Sequence, residues 1–258
     1  MSGNTDLLFQ ASCLRQKALA WFTDVTLVSD PDVLAEYESL LDDQEKRRHA
    51  AFHFPADRHL YLVAHALLRT SLSRFSDIQP CKWRISSNKS GRPEVAAEQC
   101  PEDRIRFNLS HTKGLAACVV TANVDIGIDV ERLDRRCDME SIARRYFSRQ
   151  EMQALMALPV HDRPTRFLEY WTLKEAYVKA CGLGLSIPLD SFFFYRDRQM
   201  VWRIGFDRDD DPSEWRFVCV RPTPDHVLSI AIHDADPSEY EVNISEAWAG
   251  RLTHPWKS

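Results

Sequence analysis

The segment Asp125-Ile126-Gly127-Ile128-Asp129-Val130-Glu131 constrains the fold of this chain more than any other stretch. Alternate side chains of a strand point to opposite faces. Ile126, Ile128 and Val130 therefore share a face that can pack into a core, while Asp129 and Glu131 share the other, with Gly127 leaving open space beside them. Two further strand-like runs precede it, Ile105 to Ser110 and Gly114 to Thr121, the second rich in small and β-branched residues. Residues 122–125 make a tight connection into the acidic strand.

Helical patterns flank this block. After Pro55 and Asp57, the apolar residues Leu60, Leu62, Val63, Ala66, Leu67, Leu68 and Leu72 recur at spacings of three and four and predict an amphipathic helix ending near Phe75. A strand is expected over 82–86, followed by the turn-rich 87–93. Ser148 and Glu151 have capping-box spacing and open a short helix that ends before Pro159. A longer helix of about 165–181 starts behind Pro164 and stops at Gly182. Strands return at Ser191 to Tyr195, Val201 to Gly205, Trp215 to Val220 and Val227 to Ile232. The order helix, strands, helix, strands lacks strict strand–helix alternation and predicts an α+β fold. The second half echoes the first, which makes two similar lobes the expected organisation.

A formal net charge of -5, from 33 Lys plus Arg against 38 Asp plus Glu, argues against a general nucleic-acid binder while leaving a local basic patch open. Cys13, Cys81, Cys100, Cys118, Cys137, Cys181 and Cys219 are scattered and form no Cys-x-x-Cys pair, as expected of reduced thiols rather than a disulfide framework or zinc site. The N-terminus has no basic start followed by an apolar run, and no stretch approaches the roughly 20 apolar residues that span a membrane. The expectation is a soluble cytoplasmic protein.

Asp129 and Glu131 stand roughly 7 Å apart at the backbone, close enough for their side chains to converge on one small cation. Magnesium takes oxygen ligands and often needs only one or two carboxylates plus substrate phosphates. The same pattern also describes the solvated face of a half-exposed strand. On the long second helix, Glu175 and Lys179 lie four apart on one face. They read equally as a surface ion pair or as a purposeful pair within an apolar helix. Ser110 and His111 close a strand and can donate to phosphate oxygens. Arg92, between Gly91 and Pro93, suits bidentate phosphate recognition. Lys46, Arg47 and Arg48 offer a further phosphate contact or a solvated helix face.

In order and content, these pieces resemble the phosphopantetheinyl transferases of the larger, monomeric type, the group that activates surfactin synthetase. The resemblance runs through Gly91-Arg92-Pro93, Phe107-Asn108-Leu109-Ser110-His111, Gly127-Ile128-Asp129-Val130-Glu131 and Trp171-Thr172-Leu173-Lys174-Glu175-Ala176-Tyr177-Val178-Lys179, then Gly182-Leu183-Gly184-Leu185. It implies two similar α+β lobes with pseudo-twofold symmetry, each a helix on a small, mainly antiparallel sheet: residues 1–122, and 123–258 carrying the metal site. Asp129, Glu131 and Glu175 would hold Mg2+ (Mn2+ is not distinguished by ligand type), with Asp129 also meeting coenzyme A. Glu175 would be the base, and Lys179 would serve both catalysis and pyrophosphate binding. Ser110 and His111 would meet the 3′-phosphate end of coenzyme A, Arg92 and Pro93 the adenine, and Lys46 or Arg48 the nucleotide phosphates. Many relatives have lysine where this chain has Arg92.

The implied reaction moves the phosphopantetheine arm of coenzyme A to a serine of an acyl or peptidyl carrier protein, releasing 3′,5′-ADP. The implied enzyme is a monomer with no nucleic-acid or membrane partner. Arg135, Arg136, Arg144 and Arg145, around Met139, Ile142 and Phe147, form either a carrier-docking surface or a solvated loop and helix. A magnesium-dependent nucleotide phosphodiesterase and a non-catalytic coenzyme A or carrier-binding protein are the alternatives.

Overall fold

The computed structural model describes residues 16–100, 104–135, 138–206 and 211–247. The first half runs β1 (Lys17–Asp24), α1 (Pro31–Leu40), α2 (Asp43–Ala51), α3 (Pro55–Leu72), β2 (Ile85–Ser87), β3 (Pro93–Val95), β4 (Ile105–Thr112) and β5 (Leu115–Ala122). The second runs β6 (Asp125–Arg132), α4 (Met139–Tyr146), α5 (Arg149–Met156), α6 (Arg163–Cys181), β7 (Phe192–Arg196), β8 (Trp202–Phe206), β9 (Trp215–Thr223), β10 (His226–His233) and β11 (Glu241–Glu246). This is the α+β fold expected from the sequence.

Local chemistry sets the helix ends. Asp42 and Glu45 form a reciprocal capping box that starts α2, and Ser148 and Glu151 form one that starts α5. Proline occupies the first turn of α3 and of α6, where its missing N–H costs nothing. α6 ends on Gly182, whose φ of 67° is the left-handed conformation that a glycine adopts without strain.

The strands form two main sheets, ordered β11-β1-β5-β4 and β6-β10-β9, with separate hairpins β2-β3 and β7-β8. Three apolar clusters glue four layers together. α1 and α3 cover one face of the first sheet through Leu62, Ala66, Leu72, Cys118 and Val120. The opposite face meets the second sheet through Ala18, Ala20, Ala117 and Val119 against Ile126, Ile128, Val130, Leu228 and Ile230. α6 closes the stack with Leu173, Ala176 and Ala180 against Val227 and Ala231. β5 is buried along its whole length because both its faces are covered.

The expected helices appear within a turn of their predicted ends. The strand expected over 82–86 begins later, as β2 after a short 3-10 turn at Pro80–Lys82, and it pairs across the turn with β3, a strand that starts at the end of the turn segment and was not expected. β1 escapes a period-two reading because both its faces are covered: Leu19 and Trp21 are half-buried against the first core, while Ala18, Ala20 and the half-buried Phe22 face the second sheet. The lobe division expected after residue 122 falls in the β5–β6 turn, where Asn123 takes a φ of 66°. One strand crosses that line: β11 runs parallel to β1 in the first sheet. Cys81, Cys100, Cys118, Cys181 and Cys219 form no disulfide, while Cys13 and Cys137 lie outside the described residues. Among the described residues, no helix is long and apolar enough to cross a membrane.

Gly127 does not leave the open space expected of it. A Cβ there would stand 2.0 Å from the Ala176 carbonyl oxygen and 2.6 Å from the Ala180 nitrogen, so the backbone of α6 lies directly on β6. Gly127→Ala must push the helix away. By the scale of overpacked cores it is expected to cost about 3 kcal/mol or more, read as a lowered midpoint in chemical denaturation.

Candidate functional site

β6 has a hydrogen-bonded neighbour, β10, on one edge only. Its other edge is buried, so its N–H and C=O groups need other partners. Side chains supply them. Arg92 Nη2 donates to the Ile126 carbonyl (2.9 Å), Ile128 N–H donates to Asn108 Oδ1 (2.9 Å), Lys179 Nζ donates to the Ile128 carbonyl (3.0 Å), and Val130 N–H donates to Ser110 Oγ (3.3 Å). The polar residues of β4 and α6 thus close a sheet edge as they approach Asp129.

Asp129 is buried and faces α6. Its Oδ1 accepts from Lys179 Nζ (2.7 Å) and from Ser110 Oγ (2.9 Å). Its Oδ2 is buried with no hydrogen-bond partner. Glu131, two residues on, accepts from Arg135. Glu175, one turn before Lys179 on α6, completes the acidic group. Burial and the neighbouring Asp129 charge raise the pKa of both Glu131 and Glu175 above the ordinary carboxylate range, against the pull of Lys179 and Arg135. The structure therefore brings Asp129, Glu131, Glu175, Lys179 and Ser110 together.

His111 stands at the end of β4, open to solvent but in a crowded recess. Desolvation, then His65, Lys179 and Arg48, hold its pKa below the usual imidazole value. These electrostatic partners place the end of β4, α2, α3 and α6 around one basic recess. His65 donates through Nδ1 to Glu45 Oε1 (2.9 Å) and stacks on Tyr61 at 4.0 Å between ring centroids. The Arg48 guanidinium lies over that same Tyr61 ring at 5.8 Å. Lys46 is exposed on α2.

Arg92 stands elsewhere. Its guanidinium is buried beneath Gly182 and donates to the Ala180 carbonyl (2.7 Å), the Ile126 carbonyl and Asp125. Burial first, and Arg106 next to it, pull its pKa down to about 10, so it stays charged at neutral pH. The residue read as a nucleotide contact is spent on joining β6 to the end of α6, and Pro93 opens β3 on the surface. In the basic patch on α4, Arg144 and Arg145 are exposed, but Phe147 is in the second core and Arg135 faces Glu131; Arg136 lies outside the described residues.

Sequence reasoning gave no role to Asn108, His65 or the Glu151–Lys174 pair. That pair is fully buried at 2.8 Å, and Lys174 also donates to the carbonyls of Leu189 (2.7 Å) and Phe192 (2.8 Å). A lysine at a buried position of an otherwise apolar helix is the signal that could have found it.

A family model described as the 4'-phosphopantetheinyl transferase superfamily matches residues 125–231, and one described as 4'-phosphopantetheinyl transferase, N-terminal, matches residues 30–123. The chain belongs to this superfamily. Similar relatives include the 4'-phosphopantetheinyl transferase HetI of Nostoc sp., 34% identical over 59% of this chain and 64% of its own length. The 4'-phosphopantetheinyl transferase Sfp of Bacillus subtilis is 30% identical over 60% of this chain and 66% of its own. A phosphopantetheinyl transferase of Thraustochytrium sp. is 26% identical over 78% of this chain and 74% of its own. The matched stretch therefore spans just under two thirds of HetI and of Sfp.

The raised pKa of Glu175 carries a stability consequence. A carboxyl whose folded pKa lies above its unfolded one binds protons better in the folded chain, so folding weakens as pH rises through that window. Metal-free Glu175→Gln escapes this loss. In thermal melts with chelator, the variant and the parent should coincide below the unfolded carboxylate range. The variant should then gain as pH rises and level off above the folded pKa, by about 2–4 °C for each kcal/mol of relieved repulsion.

Proposed function

We propose that this chain is a 4'-phosphopantetheinyl transferase that moves the phosphopantetheine arm of coenzyme A to a serine of an acyl or peptidyl carrier protein. The observation that carries this reading is the convergence of Asp129 and Glu131 of β6 with Glu175 and Lys179 of α6. We divide the chain into two lobes near Asn123, with coenzyme A between them and β11 returning to the first lobe. The reaction needs no second copy of the chain, and the reduced cysteines suit the cytoplasm.

The donor set fits a hard divalent cation. It is all oxygen, it includes a buried Asp129 Oδ2 without a partner, and two of its members have raised pKa values that a cation would relieve. Among the described residues, no group of three or more His, Cys, Asp or Glu side chains is arranged to hold a metal as it stands. Lys179 and Arg135 occupy Asp129 and Glu131 instead. Asp129, Glu131 and Glu175 would hold Mg2+ or Mn2+, which would supply charge neutralisation at the coenzyme A pyrophosphate.

The carrier serine oxygen attacks the β-phosphorus of coenzyme A. A new P–O bond forms, the bond to the α-phosphate oxygen breaks, and 3′,5′-ADP leaves. Glu175 accepts the serine proton as the general base. Lys179 stabilises the charge that grows on the leaving phosphate. Ser110, His111 and Arg48 of the basic recess, with Lys46 nearby, take the nucleotide phosphates. Arg92 supports this site from beneath by fixing β6 to α6.

The exposed Arg144 and Arg145 of α4 meet the acidic surface of a carrier. Their charge reversal is expected to raise the Michaelis constant for carrier protein and to flatten its salt dependence, with kcat little changed; a steady-state titration in carrier at two salt concentrations reads both.

The decisive test is intact mass spectrometry of an apo carrier protein incubated with this protein, coenzyme A and magnesium. A mass gain of one phosphopantetheine group that disappears with chelator is expected. Consumption of coenzyme A without carrier modification would point to hydrolysis, and no reaction across acyl and peptidyl carriers to simple binding. Glu175→Gln should retain coenzyme A binding and lose at least ~100-fold in turnover, the scale of a lost general base.

A further inference from the structure

Arg135 was expected on the outer surface, yet it is built into the acidic site. β6 ends at Arg132, and a turn in which the Arg135 N–H donates to the Arg132 carbonyl (3.1 Å) brings the chain back on itself. The Arg135 guanidinium then pairs with Glu131, four residues earlier. Its other support is Trp171 of α6, whose ring centroid lies 5.6 Å from the guanidinium carbon. Trp171 is itself fixed, stacked with Phe167 at 6.2 Å and edge-on to Tyr146 at 6.0 Å. It stands one helical turn before Glu175. Arg135 is thus gripped between a carboxylate and an indole at the border of the acidic group, and its charge acts on both Glu131 and Glu175.

We propose that Arg135 is a resident counter-cation of the acidic site, neutralising Glu131 in the metal-free protein and leaving it when a divalent cation binds. The proposal rests on the reading of Asp129, Glu131 and Glu175 as metal ligands. A carboxylate bonded to a guanidinium has less charge and fewer lone pairs to give a metal, so binding becomes an exchange of one cation for another. The Trp171 face keeps a place for the released guanidinium, because a cation over an indole is stabilised without its carboxylate. Arg135 therefore sets how tightly the site holds its metal while keeping the acidic cluster folded without one.

The test is Mn2+ binding to the purified protein without coenzyme A, with free Mn2+ counted by electron paramagnetic resonance. Arg135→Gln should tighten Mn2+ binding roughly threefold to tenfold, the scale of one partly buried ion pair lost. Arg135→Lys keeps a charge and should fall between that variant and the parent, which preserves the test if the glutamine variant folds poorly. Glu131→Gln should weaken binding, and adding Arg135→Gln to it should then change little. Unchanged or weaker binding in both Arg135 variants, with Glu131→Gln still weakened, would overturn the proposal. Undiminished binding in Glu131→Gln would instead overturn the ligand assignment on which it stands.

Discussion

The backbone of α6 rests on β6 at the one position of that strand without a side chain, with the Ala176 carbonyl oxygen 2.0 Å from where a Gly127 Cβ would be. A helix normally meets a sheet through two layers of side chains. Here one layer is missing, so Glu175 and Lys179 project from a helix already in backbone contact with the strand that bears Asp129. Lys179 has length to spare and reaches past Asp129 to the Ile128 carbonyl. Glu175 is shorter, and a helix held off by even a methyl group would first cost its electrostatic contact with Asp129. The register of β10 on β6 supports the arrangement from behind, setting Ser229 opposite Asp129 and Ala231 opposite Gly127. Ser229 in turn shares a 2.8 Å hydrogen bond with Thr172 of α6.

The second constraint is the unpaired edge of β6. An unsatisfied buried N–H or C=O costs about 1–3 kcal/mol. Arg92, Asn108, Ser110 and Lys179 remove that cost for Ile126, Ile128 and Val130. Two of these residues, Ser110 and Lys179, are also the ones a phosphate ligand would seek. They are not idle donors awaiting an anion, since both already bond Asp129 Oδ1. Ligand binding in such a site redistributes hydrogen bonds that exist rather than adding new ones. This favours a site whose shape is preset before a ligand enters.

What could be read from the sequence was what local spacing determines. α3, α5 and α6 declare themselves through apolar periodicity, the Ser148–Glu151 box and the Pro164 and Gly182 ends, and all three are in place. The alternation from Asp125 to Glu131 gave the strand, but not whether its acidic face met water. That depended on α6 covering it, a tertiary fact set by Gly127, which the sequence alone read as open space. Arg92 illustrates the same limit. Between Gly91 and Pro93 it reads as a phosphate-binding guanidinium on a fixed backbone, yet its shortest hydrogen bond is to the Ala180 carbonyl, 88 residues away. Lys174 and Arg135 were hidden in opposite ways. One is a charge among apolar neighbours whose partner lies on another helix, the other a surface-type residue turned inward by a loop.

The carboxylates along β6 and α6 differ in how fully their charges are answered. Asp125 has Arg92 and Arg106, Asp129 has Lys179, and Glu131 has Arg135. Among the described residues, Glu175 is the member of this set that no lysine or arginine bonds directly; Lys179 and Arg135 reach it only through their fields. A carboxylate tied to a cation is a weak base, because the bond stabilises the charge that protonation would remove. Glu131 also has a raised pKa, but its proton would have to displace a guanidinium. In the metal-free chain Glu175 is desolvated, repelled by Asp129 and bonded to no lysine or arginine, the combination that most favours holding a proton. The same electrostatics that make Glu175 costly to the metal-free fold leave it, rather than its neighbour on the strand, as the carboxylate of this set whose charge is still unanswered.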